Sequence, residues 1–186
     1  MSKIYIFIGA SACGKTTLCT MLDEKYDTVH KVVTDTTRPP RKGEVDKVHY
    51  NFVSEQFFRE NIDSYVEYNE YDNHLYGSNG TRIADALDRG KADVVICLDI
   101  NGAKALKKHY GEQVRVIYVH RDIEKIYDAI DERVANCEIT AESAVHRKEQ
   151  VLRDIEIRND PAIDFEVDNN GTLDNSIGQL KEIMGL

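Results

Sequence analysis

A glycine-rich stretch near the start of the chain contains the residue types that bind a polyphosphate. Residues 9–16 read GASACGKT and fit the pattern G-x-x-x-x-G-K-[ST]. In a loop of this pattern, backbone N–H groups bind phosphate oxygens, the lysine approaches the β- and γ-phosphates, and the last hydroxyl binds Mg²⁺. Lys15 and Thr16 would take these roles. The pattern therefore predicts a site for a nucleoside triphosphate with magnesium.

The segments on either side of this loop are those that its mechanism requires. Residues 3–8 form an apolar run rich in aromatic and β-branched side chains, which predicts a buried strand. Residues 17–25 place Leu18, Met21 and Leu22 at helical spacing. The phosphates would then lie at a helix N-terminus, where N–H groups are unpaired. The alternative, a chance match in an ordinary loop, would require neither element.

Length and charge restrict the other possibilities. The 186 residues are sufficient for one domain with a core, and the net charge of −9 argues against nucleic acid or an anionic membrane as the main partner. We expect no transmembrane helix and no signal peptide, because the apolar runs are too short. The four cysteines lack C-x-x-C spacing, which favours free thiols in a reducing cytoplasm. We hypothesise that Cys13, beside Lys15 and a helix N-terminus, oxidises easily.

The rest of the chain alternates predicted strands and helices. Strands are predicted at residues 29–33, 49–53, 65–71, 92–100, 114–120 and 165–167. Helices are predicted at residues 54–61, from Asn79 or Thr81 to Arg89 with Gly90 as the stop, and at 102–110, 122–136, 141–158 and 173–184. This alternation indicates an α/β fold with a parallel core sheet. Consecutive short strands at about residues 34–78 predict a small insertion with its own site.

Two further features could bind anions or metal. Residues 34–46 contain prolines and a glycine that exclude a regular element, and Arg38, Arg41 and Lys42 lie close together there. Taken alone, this segment is more typical of a solvated basic loop than of an anion site. Asp99 lies at the end of a predicted buried strand, where a carboxylate associated with Mg²⁺ is expected beside a phosphate loop.

Several segments together resemble guanylate kinase. They are T-x-T-T-R-x-P-R-x-G-E-V-D at residues 34–46, Y-x-F-V-S at 50–54, V-E at 66–67 and Y-G-S at 76–78. The likeness covers nearly the whole chain and is densest from residue 4 to about 103. It implies the three-layer fold of P-loop nucleoside monophosphate kinases. In that fold, residues 1–33, 79–132 and 159–186 would form the core, about 34–78 a GMP-binding β insertion, and about 133–158 a lid.

The resemblance also implies which residues form the site. ATP would be bound by Gly9, Ala10, Ser11, Ala12, Cys13, Gly14, Lys15, Thr16, Thr17 and Asn169. The GMP phosphate would be held by Arg38, Arg41, Tyr50 and Tyr76, and guanine would be read by Thr34, Glu67, Ser78 and Asp99. The catalytic cations would be Lys15, Arg38, Arg41 and the lid residues Arg133 and Arg147. Mg²⁺ would be bound by Thr16 and Asp99, directly or through water.

The implied reaction is Mg²⁺-dependent transfer of the γ-phosphoryl group of ATP to GMP or dGMP, within purine nucleotide metabolism. Two alternatives stay open. One is a scaffold module that binds phosphorylated proteins and lacks a working ATP site, against which the intact residues 14–16 argue. The other is a kinase for a different acceptor, such as a sugar phosphate, which would not need Glu67 with Thr34 and Ser78. The sequence leaves open whether the chain is a monomer or a homo-oligomer.

The chain departs from the pattern of this family at three places. Ala10 and Ala12 replace a proline and a glycine of the usual loop, and we expect Ala12 to avoid a positive φ, which would strain it. Arg121 replaces part of an apolar, proline-containing turn, and we interpret it as a surface arginine beside a helix. The segment after Asp99 is shortened, which leaves that carboxylate without a second acid.

Overall fold

The computed structural model of the chain describes residues 2–71, 73–88 and 92–186. The strands of this part are, in chain order, β1 (Ile4–Ile8), β2 (Val29–Lys31), β3 (Asp35–Thr36), β4 (Asn51–Phe52), β5 (Tyr65–Tyr71), β6 (His74–Asn79), β7 (Asp93–Cys97), β8 (Val114–His120) and β9 (Phe165–Asp168). The helices are α1 (Lys15–Lys25), α2 (Glu55–Glu60), α3 (Gly80–Asp88), α4 (Ile100–Tyr110), α5 (Ile123–Ala135), α6 (Ala141–Glu156) and α7 (Leu173–Met184).

The core sheet is parallel throughout the described residues and has the strand order β2-β7-β1-β8-β9. The central strand, β1, pairs with β7 and β8, so that Ile4 lies opposite Val94 and Val114. All five residues of β1 are buried. A parallel strand that is covered on both faces needs apolar side chains on both, which explains the unbroken apolar run. The predicted α/β fold with a parallel core sheet is confirmed.

Helices cover both faces of this sheet. On one face, α1, α5, α6 and α7 contribute buried side chains, among them Leu18, Ile126 and Ile177. On the other face, α3 and α4 contribute Ile83 and Leu106. Burying each such side chain stabilises the fold by about 1.5–3 kcal/mol. The result is a three-layer sandwich, in which the carboxyl end of β1 feeds directly into the phosphate loop.

The second sheet has the order β4-β3-β6-β5 and its own small core. The ring of Phe58 on α2 stacks on Tyr65 with a centroid distance of 4.2 Å, and Leu75 packs beside them. Gly77 is required here, because a Cβ at that position would lie 2.7 Å from the Phe58 ring. The division of the chain into core, insertion and lid at the residue numbers given above stays a prediction.

Three predicted boundaries need comment. The strand predicted at 49–53 is limited to β4, because His49 accepts a hydrogen bond from the Val45 N–H within a preceding turn. The strand predicted at 92–100 ends at Cys97, because Asp99 caps α4 and the helix begins at Ile100. The predicted helix end at Arg89 and Gly90 lies outside the described residues.

None of the helices in the described ranges combines the length and the apolar composition needed to cross a bilayer.

Candidate active site

A cavity of about 840 Å³ lies where the phosphate loop, the second sheet and helices α5 and α6 meet. This volume falls within the range of about 300–1,000 Å³ usual for ligand pockets. The predicted site residues that line it are Gly9, Ser11, Ala12, Gly14, Lys15, Thr16, Thr17, Thr34, Arg38, Arg41, Tyr50, Glu67, Tyr76, Asp99, Arg133 and Arg147. The cavity wall does not include Ala10, Cys13, Ser78 or Asn169.

The phosphate loop depends on two glycines with positive φ. Gly9 has φ 139° and approaches β8 so closely that a Cβ would lie 2.7 Å from the Val119 carbonyl oxygen. Gly14 has φ 102° and immediately precedes α1. Lys15 lies over the loop, where its Nζ donates to the carbonyl oxygens of Gly9 at 2.7 Å and Ala10 at 2.8 Å. Its ammonium group thus lies against the first residues of the loop.

The expectation for Ala12 was wrong, because this residue has φ 64°. A left-handed conformation costs a non-glycine residue about 1–2 kcal/mol, so surrounding contacts must fix it. One of them comes from Arg121, whose Nη1 donates to the Ala12 carbonyl oxygen at 3.1 Å, while its Nε is buried without a hydrogen-bond partner. Arg121 lies beside α5 as expected and is half-buried, and its contact with the loop is a role that the sequence did not predict.

A second support comes from Asn169, which follows β9. Its side-chain amide donates to the Cys13 carbonyl oxygen at 2.8 Å and accepts from the Ser176 hydroxyl at 2.8 Å. Asn169 is buried, and its Nδ2 lies where a Cβ on Gly14 would have to be. This geometry makes Asn169 a positioning residue for the loop, and its predicted contact with ATP stays a prediction.

Arg38 is held at the cavity wall by a residue for which the sequence suggested no role. Its guanidinium donates to both carboxylate oxygens of Glu44, at 2.8 and 2.9 Å, and lies 5.4 Å from the Tyr50 ring centroid. Glu44 also accepts from the Arg41 backbone N–H at 2.7 Å. Burial alone would raise the pKa of Glu44, but the bonds from Arg38 and Arg41 lower it below the usual value. Its position three residues after Arg41 and six after Arg38, in one loop, was the available signal.

Cationic side chains from different elements meet above the phosphate loop. Arg147 on α6 is buried and donates from Nη1 to the Ser11 hydroxyl at 3.0 Å. Burial, together with the positive charges of Arg147 and Arg38, lowers the pKa of Arg41. Arg133, near the end of α5, lines the same cavity. Such a convergence of cations suits the charge that develops on a transferring phosphoryl group.

Asp154 is a further cavity residue that the sequence reading missed. It lies seven residues after Arg147 and therefore on the same face of α6, which was the available signal. It accepts from the Gln150 side chain at 3.1 Å and from the Ser11 backbone N–H. Burial raises the pKa of its carboxyl group, and these two hydrogen bonds oppose that rise. It thus links α6 to the loop.

Two carboxylates lie side by side between β5 and the start of α4. The Ser78 hydroxyl donates to Glu67 at 2.5 Å, and a Cβ on Gly102 would lie 3.0 Å from the other Glu67 oxygen. Burial, reinforced by the charge of Asp99, raises the pKa of Glu67 to about 7, although Ser78 opposes the rise. The oxygens of Asp99 accept from the Gly102 N–H at 2.8 Å and from the Asn69 amide. Asn69 was missed, although it shares a face of β5 with Glu67.

An ion pair with a buried carboxylate attaches the second sheet to the core. Asp35 on β3 is fully buried and pairs with Arg82 on α3. It also accepts from Asn51 at 2.9 Å and from the Tyr65 hydroxyl at 2.6 Å. Burial and the Asp35 charge together raise the pKa of Tyr65. Because Asp35 is fully buried, removing Arg82 would leave a buried charge without its cation, so this network fixes how the second sheet faces the cavity.

The oxygen ligands in the cavity are of the kind that Mg²⁺ prefers. Thr16 and Asp99 both line it. Mg²⁺ in kinase sites is usually bound through one or two carboxylates together with substrate phosphates and water. The described residues contain no group of three or more His, Cys, Asp or Glu side chains that could hold a metal by themselves. A hydroxyl and a carboxylate that need phosphate to complete the site therefore fit this ion.

The family model described as guanylate kinase matches residues 1–185. The chain belongs to the guanylate kinase family. It is 31% identical over 162 residues to the guanylate kinase of Helicobacter hepaticus, covering 85% of this chain and 74% of that one. It is 32% identical over 154 residues to that of Clostridium perfringens (strain SM101 / Type A), covering 82% and 69%.

Two further comparisons show how much of the chain is matched in sequence and in structure. The chain is 42% identical over 110 residues to the guanylate kinase of Helicobacter pylori (strain J99 / ATCC 700824), but the matched region covers 58% of this chain and 53% of that protein. The chain thus matches about half the length of this relative. A crystal structure of guanylate kinase from Anaplasma phagocytophilum has a TM-score of 0.74 at 19% identity, and the match covers 99% of this chain and 85% of that one. This likeness confirms the fold.

Proposed function

We propose that the chain transfers the γ-phosphoryl group of MgATP to GMP or dGMP, giving ADP and GDP or dGDP. One observation carries the proposal: Lys15, Arg41 and Glu67 line the same cavity, which brings together a phosphate loop, an arginine pair and a half-buried carboxylate. Membership of the guanylate kinase family supports the same reaction.

Guanine recognition would depend on Glu67. Guanine presents its N1–H and its 2-amino group side by side, and a carboxylate can accept from both. Adenine has an acceptor at N1 and no 2-amino group, so it would leave the half-buried Glu67 carboxylate unpaired. A site built on buried hydrogen bonds rejects such an analogue by about 10⁴-fold or more. The hydroxyl of Ser78 fixes one Glu67 oxygen, which limits how the base can enter.

The GMP phosphate would be bound by Arg38 and Arg41, with the hydroxyls of Tyr50 and Tyr76 as further donors. Glu44 orients Arg38 beforehand through two hydrogen bonds. The reaction then needs no general base. The second pKa of a phosphate monoester is about 6, so the attacking oxygen is mostly deprotonated at neutral pH.

On the donor side, Lys15 and the loop N–H groups would bind the β- and γ-phosphates of ATP. When bound at Thr16 and Asp99, Mg²⁺ would neutralise charge on the phosphate oxygens. Arg133 and Arg147 would lie over the transferring group as residues of the lid. The contact of Arg147 with Ser11 supports this role, because it brings α6 against the loop. A lid in that position excludes water and limits hydrolysis of ATP.

Ligand-dependent thermal stability tests the recognition step. We expect GMP to raise the melting temperature in a concentration-dependent way, and AMP at the same concentrations to leave it unchanged. Equal stabilisation by the two would contradict the role of Glu67. Stabilisation by GMP without turnover would favour a binding module, and turnover with a sugar phosphate alone would favour the other kinase class.

A further inference from the structure

Two thiols from different elements meet below the phosphate loop. Cys19 on α1 is fully buried, and Cys97 at the end of β7 is partly exposed and lines the cavity. Their sulfur atoms are 3.4 Å apart. A disulfide requires about 2.05 Å, so a shift of little more than an ångström would join them. The pair lies 78 residues apart in sequence, and only the fold brings it together.

The surroundings of the two thiols give them different chemical characters. Cys97 is partly exposed at the cavity wall, where peroxide can reach its sulfur, whereas Cys19 is fully buried behind it. Burial, and to a smaller extent the neighbouring Cys97, raises the pKa of Cys19 well above its usual value. A thiolate is the nucleophile in thiol oxidation. Cys97 is therefore the sulfur that would react first, and Cys19 the thiol that would follow.

We propose that Cys97 and Cys19 form a peroxide-sensitive site that closes to a reversible disulfide and weakens binding at the phosphate loop. The effect on turnover rests on the proposed kinase function. Formation of the disulfide does not, because it depends only on the two thiols and on access through the cavity.

The chemistry uses hydrogen peroxide as the oxidant. The Cys97 thiolate attacks one peroxide oxygen, the O–O bond breaks, and hydroxide leaves, which gives a sulfenic acid at Cys97. The Cys19 sulfur then attacks the Cys97 sulfur, so that the S–S bond forms as the S–O bond breaks. The departing hydroxide takes the Cys19 proton as water. Both sulfurs are oxidised, both peroxide oxygens are reduced, and an added dithiol reverses the step by exchange.

The disulfide would act on ATP binding through α1. Cys19 follows Lys15 by four residues, so it lies one turn further along the same face of the helix. Closing the sulfur distance from 3.4 Å would pull this part of α1 towards β7. That shift would move the start of the helix, which carries the residues proposed to bind the β- and γ-phosphates and Mg²⁺.

The same geometry argues against Cys13 as the reactive thiol. Its side chain is fully buried and is not part of the cavity wall. Cys137, between α5 and α6, is exposed and is not part of the cavity wall, so it is the natural matched control.

The test treats the full chain with hydrogen peroxide, with and without MgATP, then blocks free thiols and maps peptides by mass spectrometry without reduction. We expect a linked peptide pair containing Cys19 and Cys97, formed more slowly when MgATP fills the cavity. The oxidised protein should bind MgATP about tenfold or more weakly by calorimetry. Dithiothreitol should restore that affinity.

Cysteine variants separate the oxidation of Cys97 from the formation of the disulfide. Cys19→Ala should give no linked peptide and leave a sulfenic acid at Cys97 that dimedone traps, while Cys137→Ala should behave like the unaltered chain. Oxidation at Cys137 while Cys19 and Cys97 stay reduced would overturn the proposal, and peptide mapping of the unaltered chain shows this without any variant. A disulfide that leaves MgATP affinity unchanged would overturn its regulatory part. If the disulfide forms but reduced protein never phosphorylates GMP, the kinase function fails and the redox site stands.

Discussion

The phosphate loop and the second sheet present different kinds of groups to the cavity. The loop presents backbone N–H groups, and its essential side chains are few: Gly9 and Gly14 for their positive φ, then Lys15 and Thr16. The second sheet instead presents side chains, chiefly Arg38, which a carboxylate orients through two bonds. A backbone site tolerates changes of side chain so long as the chain path is kept. A side-chain site depends on residue identity and on the neighbours that orient it.

The two regions are also stabilised differently. The loop is fixed from outside by neutral and cationic groups, since Asn169 and Arg121 donate to its carbonyl oxygens. The second sheet is fixed by ion pairs, namely Arg38 with Glu44 in the loop after β3 and Asp35 with Arg82 of α3 at the junction with the core. We therefore expect substitutions around the loop to change ATP use, and substitutions in the second sheet to change GMP use.

The largest effect is expected for Lys15→Met. This change removes the one charged side chain of the loop, and turnover should fall by about 10³-fold or more. The methionine keeps a long apolar stem, so the melting temperature should change little. Steady-state ADP release and circular dichroism measure the two quantities. Full turnover in the variant would refute the role of the loop.

Glu67→Gln should impair the use of GMP and leave the use of ATP unchanged. The amide presents a donor where guanine also presents donors, so kcat/KM for GMP should fall by about 10²-fold or more while KM for ATP stays the same. Glu70→Gln, an exposed position on the same strand, is the matched control. If both variants use GMP equally well, Glu67 is not part of the site.

The pH dependence of kcat/KM for GMP is a second test of Glu67. Burial raises the pKa of Glu67 from 4.5 to about 7, so the carboxyl group is neutral below that pH and charged above it. Because only the carboxylate accepts from both guanine donors, kcat/KM for GMP should rise with pH through about 7, by about tenfold between pH 6 and pH 8. The Glu67→Gln variant should lack this rise. A flat profile in the unaltered chain would contradict the assignment.

Arg121→Ala should have the smallest effect and should fall on the ATP side. It leaves the Ala12 carbonyl oxygen without its arginine donor. KM for ATP should rise by about tenfold or less, which is the effect of one lost hydrogen bond, and KM for GMP should not change. Arg121→Lys should recover part of the loss. An equal rise in both KM values would indicate general destabilisation instead.

The features that the sequence predicted correctly are those whose signals lie close together along the chain. The bounds of β8 and of α7 match the predicted ones, because each is an apolar pattern bounded by its own signals, such as the Thr172 cap of α7. The phosphate loop was predictable for the same reason. Its glycines, lysine and flanking elements lie within about twenty residues of one another.

What the sequence did not predict depends on distant partners. Ala12 adopts a positive φ because Arg121, 109 residues away, helps to fix the loop. Asn69 reaches Asp99 only because β5 packs beside the start of α4. Local propensity argues against a positive φ at Ala12, and it gives no information about the contact between Asn69 and Asp99. Such contacts become visible only when the sheet order is known.

The most direct test of the proposed function is ADP release from MgATP with GMP, dGMP, AMP, CMP and UMP offered separately. We expect turnover with GMP and dGMP alone, because only guanine presents two adjacent donors to Glu67. Comparable turnover with AMP would contradict the reading of the carboxylate pocket. No turnover with any of the five, in folded protein that still binds GMP, would contradict the claim that the loop and the second sheet work on one reaction.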